Sequence, residues 1–423
     1  MSKPALLMVT TGFPYGQGES FVVAELAHLA EQFDDITLAP CVFTPDKPPR
    51  PVSQQVELAY ARARWGAARL MHVLGSLLRA LWRYPWLGEA MSIIGRPHRL
   101  ENVKELVRSL YRARLFEQFL EQQQAAGKRY DLIYFYWLVP EIAGALSFRR
   151  RSVPPGDRAP TIVARGHGGD LYEELRPGGY AGLTDLITTG IDQIFCISEH
   201  GKNYLINKYP GLATRFQLAR LGVVDPGFIS PQPADDTLSI LSCSFMVPGK
   251  RLHLIVEAID VLLTENPEVA VRWTHIGDGE LHDQLRQQVA RLLGGRRVEV
   301  IFKGYMRQSD LVAYYRDAAF DVIVNVSDTE GIPVSLMEAS SVGIPMVATD
   351  VGGSSEIVNA GNGMLIHAAS SSAAIAQALL KFHDKERAAA YRRRARSYWE
   401  SHFNARTNYA CFSEALRRSV EHS

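Results

Sequence analysis

Short apolar runs alternate with longer amphipathic stretches along most of the chain, and the pattern occurs twice. In the first half the runs are ALLMVT (5–10), DITLAP (35–40), DLIYFYW (131–137), TIVARG (161–166), QIFCIS (193–198) and FQLARLGV (216–223). Their length and their β-branched and aromatic residues predict buried strands. Between them, ESFVVAELAHLAEQ (19–32) and SEHGKNYLINKY (198–209) carry apolar residues at helical spacing. The second half restarts with LSILSCSF (238–245), VRWTHIG (271–277), VEVIFKG (298–304), DVIVNVS (321–327), PMVATDV (345–351) and GMLIH (363–367). Each is followed by a helix-like segment or a tight loop. Strands alternating with helices predict parallel sheets. The expected fold is therefore α/β, with two doubly wound, Rossmann-like domains in tandem. Ligands are expected at the carboxyl ends of the strands and in the cleft between the domains.

DPGFISPQPADD (225–236), rich in proline and acid, reads as the linker. It sets a first domain at 1–225 and a second at 236–385. The tail, 386–423, is helical by pattern and is expected to pack back toward the first domain. Residues 54–124 interrupt the alternation, with almost no strand signal. From Ala61 to Arg114 there are eleven Lys or Arg against three acids, and Trp65, Trp82, Trp86 and many leucines lie among the arginines. Two readings stay open here. One is a helical insertion whose apolar face packs on the first domain; the other is an interfacial helix that meets anionic lipid headgroups.

Composition changes this picture little. The chain is 47% hydrophobic and 22% charged with a formal net charge of +1, which gives no argument for a nucleic-acid partner. Cys41, Cys196, Cys243 and Cys411 are far apart and lack metal-ligand spacing. Cys196 and Cys243 fall in strand-like runs and read as core thiols, which suits a reducing cytosol. MSKPALLMVTTGF enters a strand-like run without the long apolar region of a signal peptide, and no run of 18 uncharged apolar residues occurs. A cytoplasmic location without a spanning helix is expected.

Candidate chemistry sits at the ends of the predicted strands. TTGFPYGQGES (10–20) places Gly12, Gly16 and Gly18 before a helix, where backbone amides can approach a phosphate. The spacing is not G-x-G-x-x-G, and no acid ends a second strand about 20 residues on, which disfavours an NAD oxidoreductase. RGHGGDLYEE (165–174) sets His167 between glycines at a strand's end, a poor place for a core histidine, with Asp170 as a candidate cap. Lys250 and Arg251 precede a helix, where positive charge is unfavourable unless an anion lies close. HIGDGE (275–280) and VGGSSE (351–356) are further glycine-bearing turns. In EGIPVSLME (330–338), Pro333 discourages helix at Ile332 and predicts a helix start at Pro333. Glu330 then lies in the loop after a strand and Glu338 in the helix's second turn, flanking an anion-favouring N-terminus.

These residues together resemble the retaining glycosyltransferases of family four, which adopt the GT-B fold of two Rossmann-like domains facing across a cleft. Glu330 and Glu338 match the family's E-x7-E motif within SDTEGIPVSLMEASSVGIPMVATDVGGSSEIV (327–358). Lys250 falls where the family has its diphosphate-binding lysine, and IGDGE (276–280) and FKGYMRQSDLVAYYRDA (302–318) follow in order. FPYGQGES (13–20), RGHGGDLYEE and ISEHGKNYL (197–205) resemble the first domain's glycine loop, site histidine and last helix.

The resemblance implies transfer of a sugar, with retention, from a nucleoside-diphosphate sugar to a hydroxyl of a glycan or lipid-linked acceptor. The implied setting is surface polysaccharide synthesis, in the cytoplasm and peripheral at the inner face of the plasma membrane. Glu338 would accept hydrogen bonds from ribose hydroxyls and Glu330 from the donor sugar, both ionised in a solvated cleft. Lys250 would neutralise the diphosphate, helped by amides near Gly16 and by the helix opening near Ile332. His167 would meet the donor sugar near its reacting end, so His167, Glu330 and Lys250 are the expected catalytic set. Gly18, Arg251, Gly277, Gly331, Ile332 and Pro333 complete the expected donor site, with Asp170, Arg220 and Tyr305 as further candidates. The family often carries an arginine five residues before its lysine; Phe245 stands there, so a guanidinium is missing from the leaving-group clamp unless Arg251 or Arg220 replaces it. No Asp-x-Asp pair is present, so neither a metal nor another cofactor is expected. A sugar-nucleotide epimerase, a phosphorylase or a catalytically weak sugar-binding protein on the same scaffold are the alternatives.

Overall fold

The computed structural model describes residues 3–15, 18, 19, 21–43, 48–65, 79, 80, 82–154 and 156–421. The chain forms two compact units: residues up to Ala219 together with those from Tyr409 onward, and Arg220–Asn408.

The first unit holds strands β1 (Ala5–Thr10), β2 (Asp35–Pro40), β3 (Gln55–Val56), β4 (Leu132–Phe135), β5 (Thr161–Gly166), β6 (Gln193–Cys196) and β7 (Phe216–Leu218). They pair in parallel in the order β3-β2-β1-β4-β5-β6-β7. Alternate residues serve opposite faces. Leu7, Val9, Ile133 and Phe135 join one core cluster, while Leu6, Met8, Leu132 and Tyr134 join another. Helices cover both faces, which explains why these strands read as unbroken apolar runs. The strand order reverses between β1 and β4, so the loops after those strands frame the switch point where ligands bind such sheets.

The described residues of 54–124 include β3 and the helices Ala59–Trp65, Trp86–Ile94 and Arg99–Ala125, while 66–78 and 81 of the expected basic insertion lie outside the described residues. The two-residue β3 is an edge strand too short to show in the sequence pattern. Buried carboxylates bind this insertion to the helix Glu141–Arg151 and its own neighbours. Glu141 accepts Arg112 through two bonds of 2.9 and 2.7 Å and the Tyr60 hydroxyl at 2.5 Å. Glu117 accepts Arg83 and Arg114 at 2.6 Å each and Ser147 at 2.7 Å. Part of the basic excess is thus neutralised inside the unit, as the packed-insertion reading requires.

The second unit holds β8 (Thr237–Cys243), β9 (Ala270–Ile276), β10 (Val298–Phe302), β11 (Val322–Asn325), β12 (Met346–Thr349) and β13 (Gly363–Ile366). The order is β10-β9-β8-β11-β12-β13, again all parallel, and the switch point lies between β8 and β11. Leu238, Ile240, Trp273, Val322, Val324 and Val347 pack in one core with the helices Leu252–Glu265 and Ser372–Leu380.

Two expected boundaries differ from the structure. The stretch 225–236 lies inside the second unit rather than between units. Arg392 donates to the Ser230 carbonyl, to Ser230 Oγ at 2.9 Å and to the Pro231 carbonyl at 3.3 Å, and the Ser230 amide bonds Val342 O at 3.0 Å. The helix Lys385–His402 also stays with the second unit, with Trp399 fully buried and Lys385 2.8 Å from Asp321. Only the tail from Tyr409 groups with the first unit. There Phe412 meets Tyr134 and Phe195 at centroid distances of 5.5 and 5.2 Å and lies 4.3 Å from the Arg165 guanidinium. Proline and acid mark a turn in sequence; the bonds that pin it belong to residues over 100 positions away. No described helix is long and apolar enough to cross a membrane.

Candidate functional site

In the second unit the loops after β8, β9, β11 and β12 close on one another at the carboxyl edge. Gly352 is left-handed (φ 53°), and a Cβ there would stand 1.7 Å from the Glu330 carbonyl oxygen. The Gly353 amide donates to Gly331 O at 3.0 Å. Gly277 (φ 139°) likewise leaves no room for a Cβ, which would meet Ser244 O at 1.8 Å. Glycine is required at both places by close approach and by dihedral angle together.

This packing brings Lys250 to Glu330, as the lysine position required. Lys250 Nζ lies 2.6 Å from Glu330 Oε1, which also accepts Asn325 Nδ2 at 3.0 Å and Ser327 Oγ at 2.7 Å. Asn325 ends β11 and Ser327 lies two residues beyond it, and both side chains reach the same carboxylate oxygen. Three donors on Oε1 hold the carboxylate, while Oε2 takes no bond among the described residues. Glu330 thus presents an immobilised acceptor with open lone pairs at the switch point.

Glu338 differs from its expected state. The helix Val334–Ser341 begins after Pro333, which is its N-cap, and places Glu338 in the second turn. The neighbouring Ile332 is buried. Glu338 is only 9% exposed, and its carboxyl has one weak partner, Gln308 Nε2 at 3.3 Å. Burial pushes its pKa up to about 7, against which the Gln308 bond acts only slightly. The expectation of a solvated cleft fails because the helix's second turn lies within the fold, where burial resists ionisation of the carboxyl.

Arg251 is not a free guanidinium for a diphosphate either. It is left-handed (φ 47°) and donates to the carbonyls of Val326 (2.7 Å), Ala368 (2.8 Å) and Ser327 (2.9 Å). It holds the Glu330 loop in place through the backbone and is a positioning residue. Arg220 sits 3.3 Å from Glu356. Phe245 is 62% exposed in the loop after β8, and Tyr305, 46% exposed, follows β10.

In the first unit, the loop after β1 already surrounds an anion of its own. The Glu19 carboxylate accepts the amides of Thr11, Gly12 and Phe13 at 2.7 to 2.8 Å and Trp137 Nε1 at 2.8 Å. The amides of this stretch are therefore committed, and Gly16 lies outside the described residues. Gly18 is described, and a Cβ there would meet nothing within 4 Å. His167 ends β5 with its ring 4.1 Å from Trp137 and 5.1 Å from Tyr136, centroid to centroid. Asp170 accepts the His167 amide at 2.7 Å and the Leu138 amide at 2.8 Å, which ties the loops after β5 and β4. Both His167 ring nitrogens are buried without a hydrogen bond among the described residues, and Nδ1 is 3.8 Å from Asp170 Oδ2. A buried imidazole without partners is costly unless a ligand supplies them.

Sequence reasoning missed several partners. Asn325 and Ser327 carried a signal in the polar end of DVIVNVS, at period two. Glu19, Trp137 and Gln308 carried none, because each acts across a long chain separation or against a backbone group.

Residues 237–385 match the family described as Glycosyl transferases group 1. WcaL of Escherichia coli, named as a colanic acid biosynthesis glycosyltransferase, is 32% identical over 199 residues, 45% of this chain and 48% of that one. The chain spans about half the length of the curated relatives it matches. HepE of Anabaena, solved with UDP, aligns over 98% of this chain and 100% of its own with a TM-score of 0.63 and 17% identity. WaaB, a lipopolysaccharide outer core galactosyltransferase solved in the apo form, aligns over 97% and 99% with a TM-score of 0.65 and 16% identity. These two share the fold, which is GT-B. The likeness to family-four glycosyltransferases thus rests on the match in the second unit and on the fold of the chain.

Proposed function

We propose that this protein is a retaining, metal-independent glycosyltransferase that moves a sugar from a nucleoside-diphosphate sugar to a hydroxyl of a glycan or lipid-linked acceptor in surface polysaccharide synthesis. The contact of Lys250 with Glu330, inside the region matched to group 1 glycosyl transferases, carries this reading. It sets a cation for a leaving diphosphate beside an anchored carboxylate for sugar hydroxyls. The UDP in HepE supports the donor class.

In the proposed reaction the acceptor hydroxyl enters on the face that the diphosphate leaves. A bond forms from the acceptor oxygen to the anomeric carbon as the anomeric carbon–phosphate oxygen bond breaks, and the leaving diphosphate takes the hydroxyl proton. Lys250 offsets the charge that develops on that diphosphate, while Glu330 Oε2 holds the sugar. Glu338 takes the ribose hydroxyls, and His167 uses its vacant ring nitrogens for sugar hydroxyls. Arg251 keeps the Glu330 loop in register.

A lipid-linked acceptor draws support from the outer side of the insertion. Seven of the thirteen exposed large apolar side chains among the described residues lie between Trp82 and Val107. Leu87, Met91 and Ile94 share one face of their helix, and Leu100, Val103 and Val107 share one face of the next. Trp82 is 90% exposed, and Arg99, Lys104 and Arg108 are exposed in the same segment. Apolar stripes with basic flanks suit an anionic membrane surface.

The test is release of nucleoside diphosphate from a panel of nucleotide sugars, with the anomeric configuration of the product read by NMR. Thermal shifts select the donor, since a ligand at 100 times its Kd adds about 2.7 kcal/mol of stability. Failure of every nucleoside diphosphate and its sugars to shift the melting temperature would overturn the reading.

A further inference from the structure

The first unit has a second concavity, of about 800 Å³, lined by Arg149, Arg158, Arg215 and Arg418 around Thr161, Gln193 and Gln217. It lies at the other edge of the sheet from His167. Thr161 and Gln193 open β5 and β6, and Arg215 precedes β7, whereas His167 follows the end of β5. Six extended residues separate the two edges, about 16–20 Å.

The charge there is one-sided. Among the described residues Asp192 is the sole acid of the lining, and its Oδ2 already accepts Arg149 and the Ile162 amide. Capping of helix ends accounts for some donors: Arg158 donates to Val420 O, and Arg215 to the carbonyls of Thr189 (2.9 Å) and Ile191 (3.1 Å). Each of those two guanidinium groups keeps Nε and one terminal nitrogen without an acceptor among the described residues. Gln193 Oε1 accepts Ser419 Oγ–H at 2.5 Å, and Gln193 Nε2 also has no acceptor among the described residues. Guanidinium groups bind phosphate through paired N–H donors, and the volume lies within the range of small-molecule sites.

The geometry points to a second anion site in the first unit, for a soluble compound with two or more phosphate groups, distinct from the donor site of the second unit. The probe is inorganic tripolyphosphate, titrated calorimetrically into the full chain. The variants are Arg158→Gln with Arg215→Gln, Arg158→Glu alone, and Lys250→Ala, with melting temperatures as the folding control. Two lost charge-assisted contacts at about tenfold each give roughly a hundredfold weaker binding in the double variant. Arg158→Glu, which gives up only the bond to Val420 O, keeps the test usable if the double variant does not fold. Lys250→Ala is expected to retain this binding while losing donor affinity, which separates failure of this proposal from failure of the donor reading. Tripolyphosphate affinity unchanged in both arginine variants, or abolished by Lys250→Ala, would overturn it.

Discussion

Glu338→Gln separates the stability of this fold from its ligand chemistry. The carboxyl is buried with one 3.3 Å partner, and burial raises its pKa from 4.5 to about 7. The folded state therefore binds a proton more tightly than the unfolded chain, so stability falls as pH rises through the window from 4.5 to 7. Linkage across these two values removes about 2–3 kcal/mol between pH 5 and pH 8. Glutamine has no such proton, and that slope should vanish. Denaturation followed by the fluorescence of Trp273 and Trp399, both fully buried in the second unit, reads it directly. At pH 8 the variant should gain stability relative to the wild type compared with pH 5. Ribose hydroxyls, as donors, favour the carboxylate, so nucleoside diphosphate should bind the wild type more weakly below pH 7 and release a proton on binding. Binding to Glu338→Gln should be weaker by about tenfold and lack this pH dependence. Parallel pH profiles of stability for wild type and variant would refute the reasoning.

Glu330→Gln should spare the free nucleoside diphosphate and weaken the complete donor by about ten- to a hundredfold, whereas Glu338→Gln weakens both; calorimetric titration with both ligands checks the division. Gly352→Ala drives a Cβ to within 1.7 Å of Glu330 O, so it should lower the melting temperature and abolish donor binding, and a variant with unchanged donor affinity would contradict the packing. Replacing Trp82, Leu87 and Met91 by serine should reduce flotation with anionic vesicles while leaving the fold intact, because all three side chains are exposed. Equal binding of wild type to neutral vesicles would count against the basic component of that surface.

The strands were legible because burial on both faces leaves unbroken apolar runs, and all twelve runs became strands. The Glu330 loop was legible too, since Pro333 marks where the helix can begin. What escaped depends on distance in sequence or on bonds to the backbone. Nothing near Arg251 says that its guanidinium reaches Val326, Ser327 and Ala368, and nothing near Gly12 says that Glu19 fills the amides beside it. The surroundings of Glu338 were misread too: a motif gives the spacing of an acid, whereas its pKa follows from what excludes water around it.

The resting contact of Lys250 with Glu330 has a consequence for how the two groups act. An ammonium carries three protons, so Lys250 can keep Glu330 and still donate to a diphosphate. It would then connect the two ends of the donor, because the carboxylate it orients is the one that takes the sugar. The effects of Lys250→Ala and Glu330→Gln should therefore not add. Lys250→Ala would remove the proposed diphosphate contact and also free Glu330, which would keep only Asn325 and Ser327 on Oε1. In a double-mutant cycle on donor affinity, a coupling of about 1–3 kcal/mol is expected for groups in direct contact. The free nucleoside diphosphate supplies the control, since it lacks the sugar that Glu330 is proposed to hold, and its cycle should close to within about 0.5 kcal/mol. Additive losses for the complete donor would mean that the 2.6 Å contact belongs only to the empty site and that the two residues serve the ligand independently.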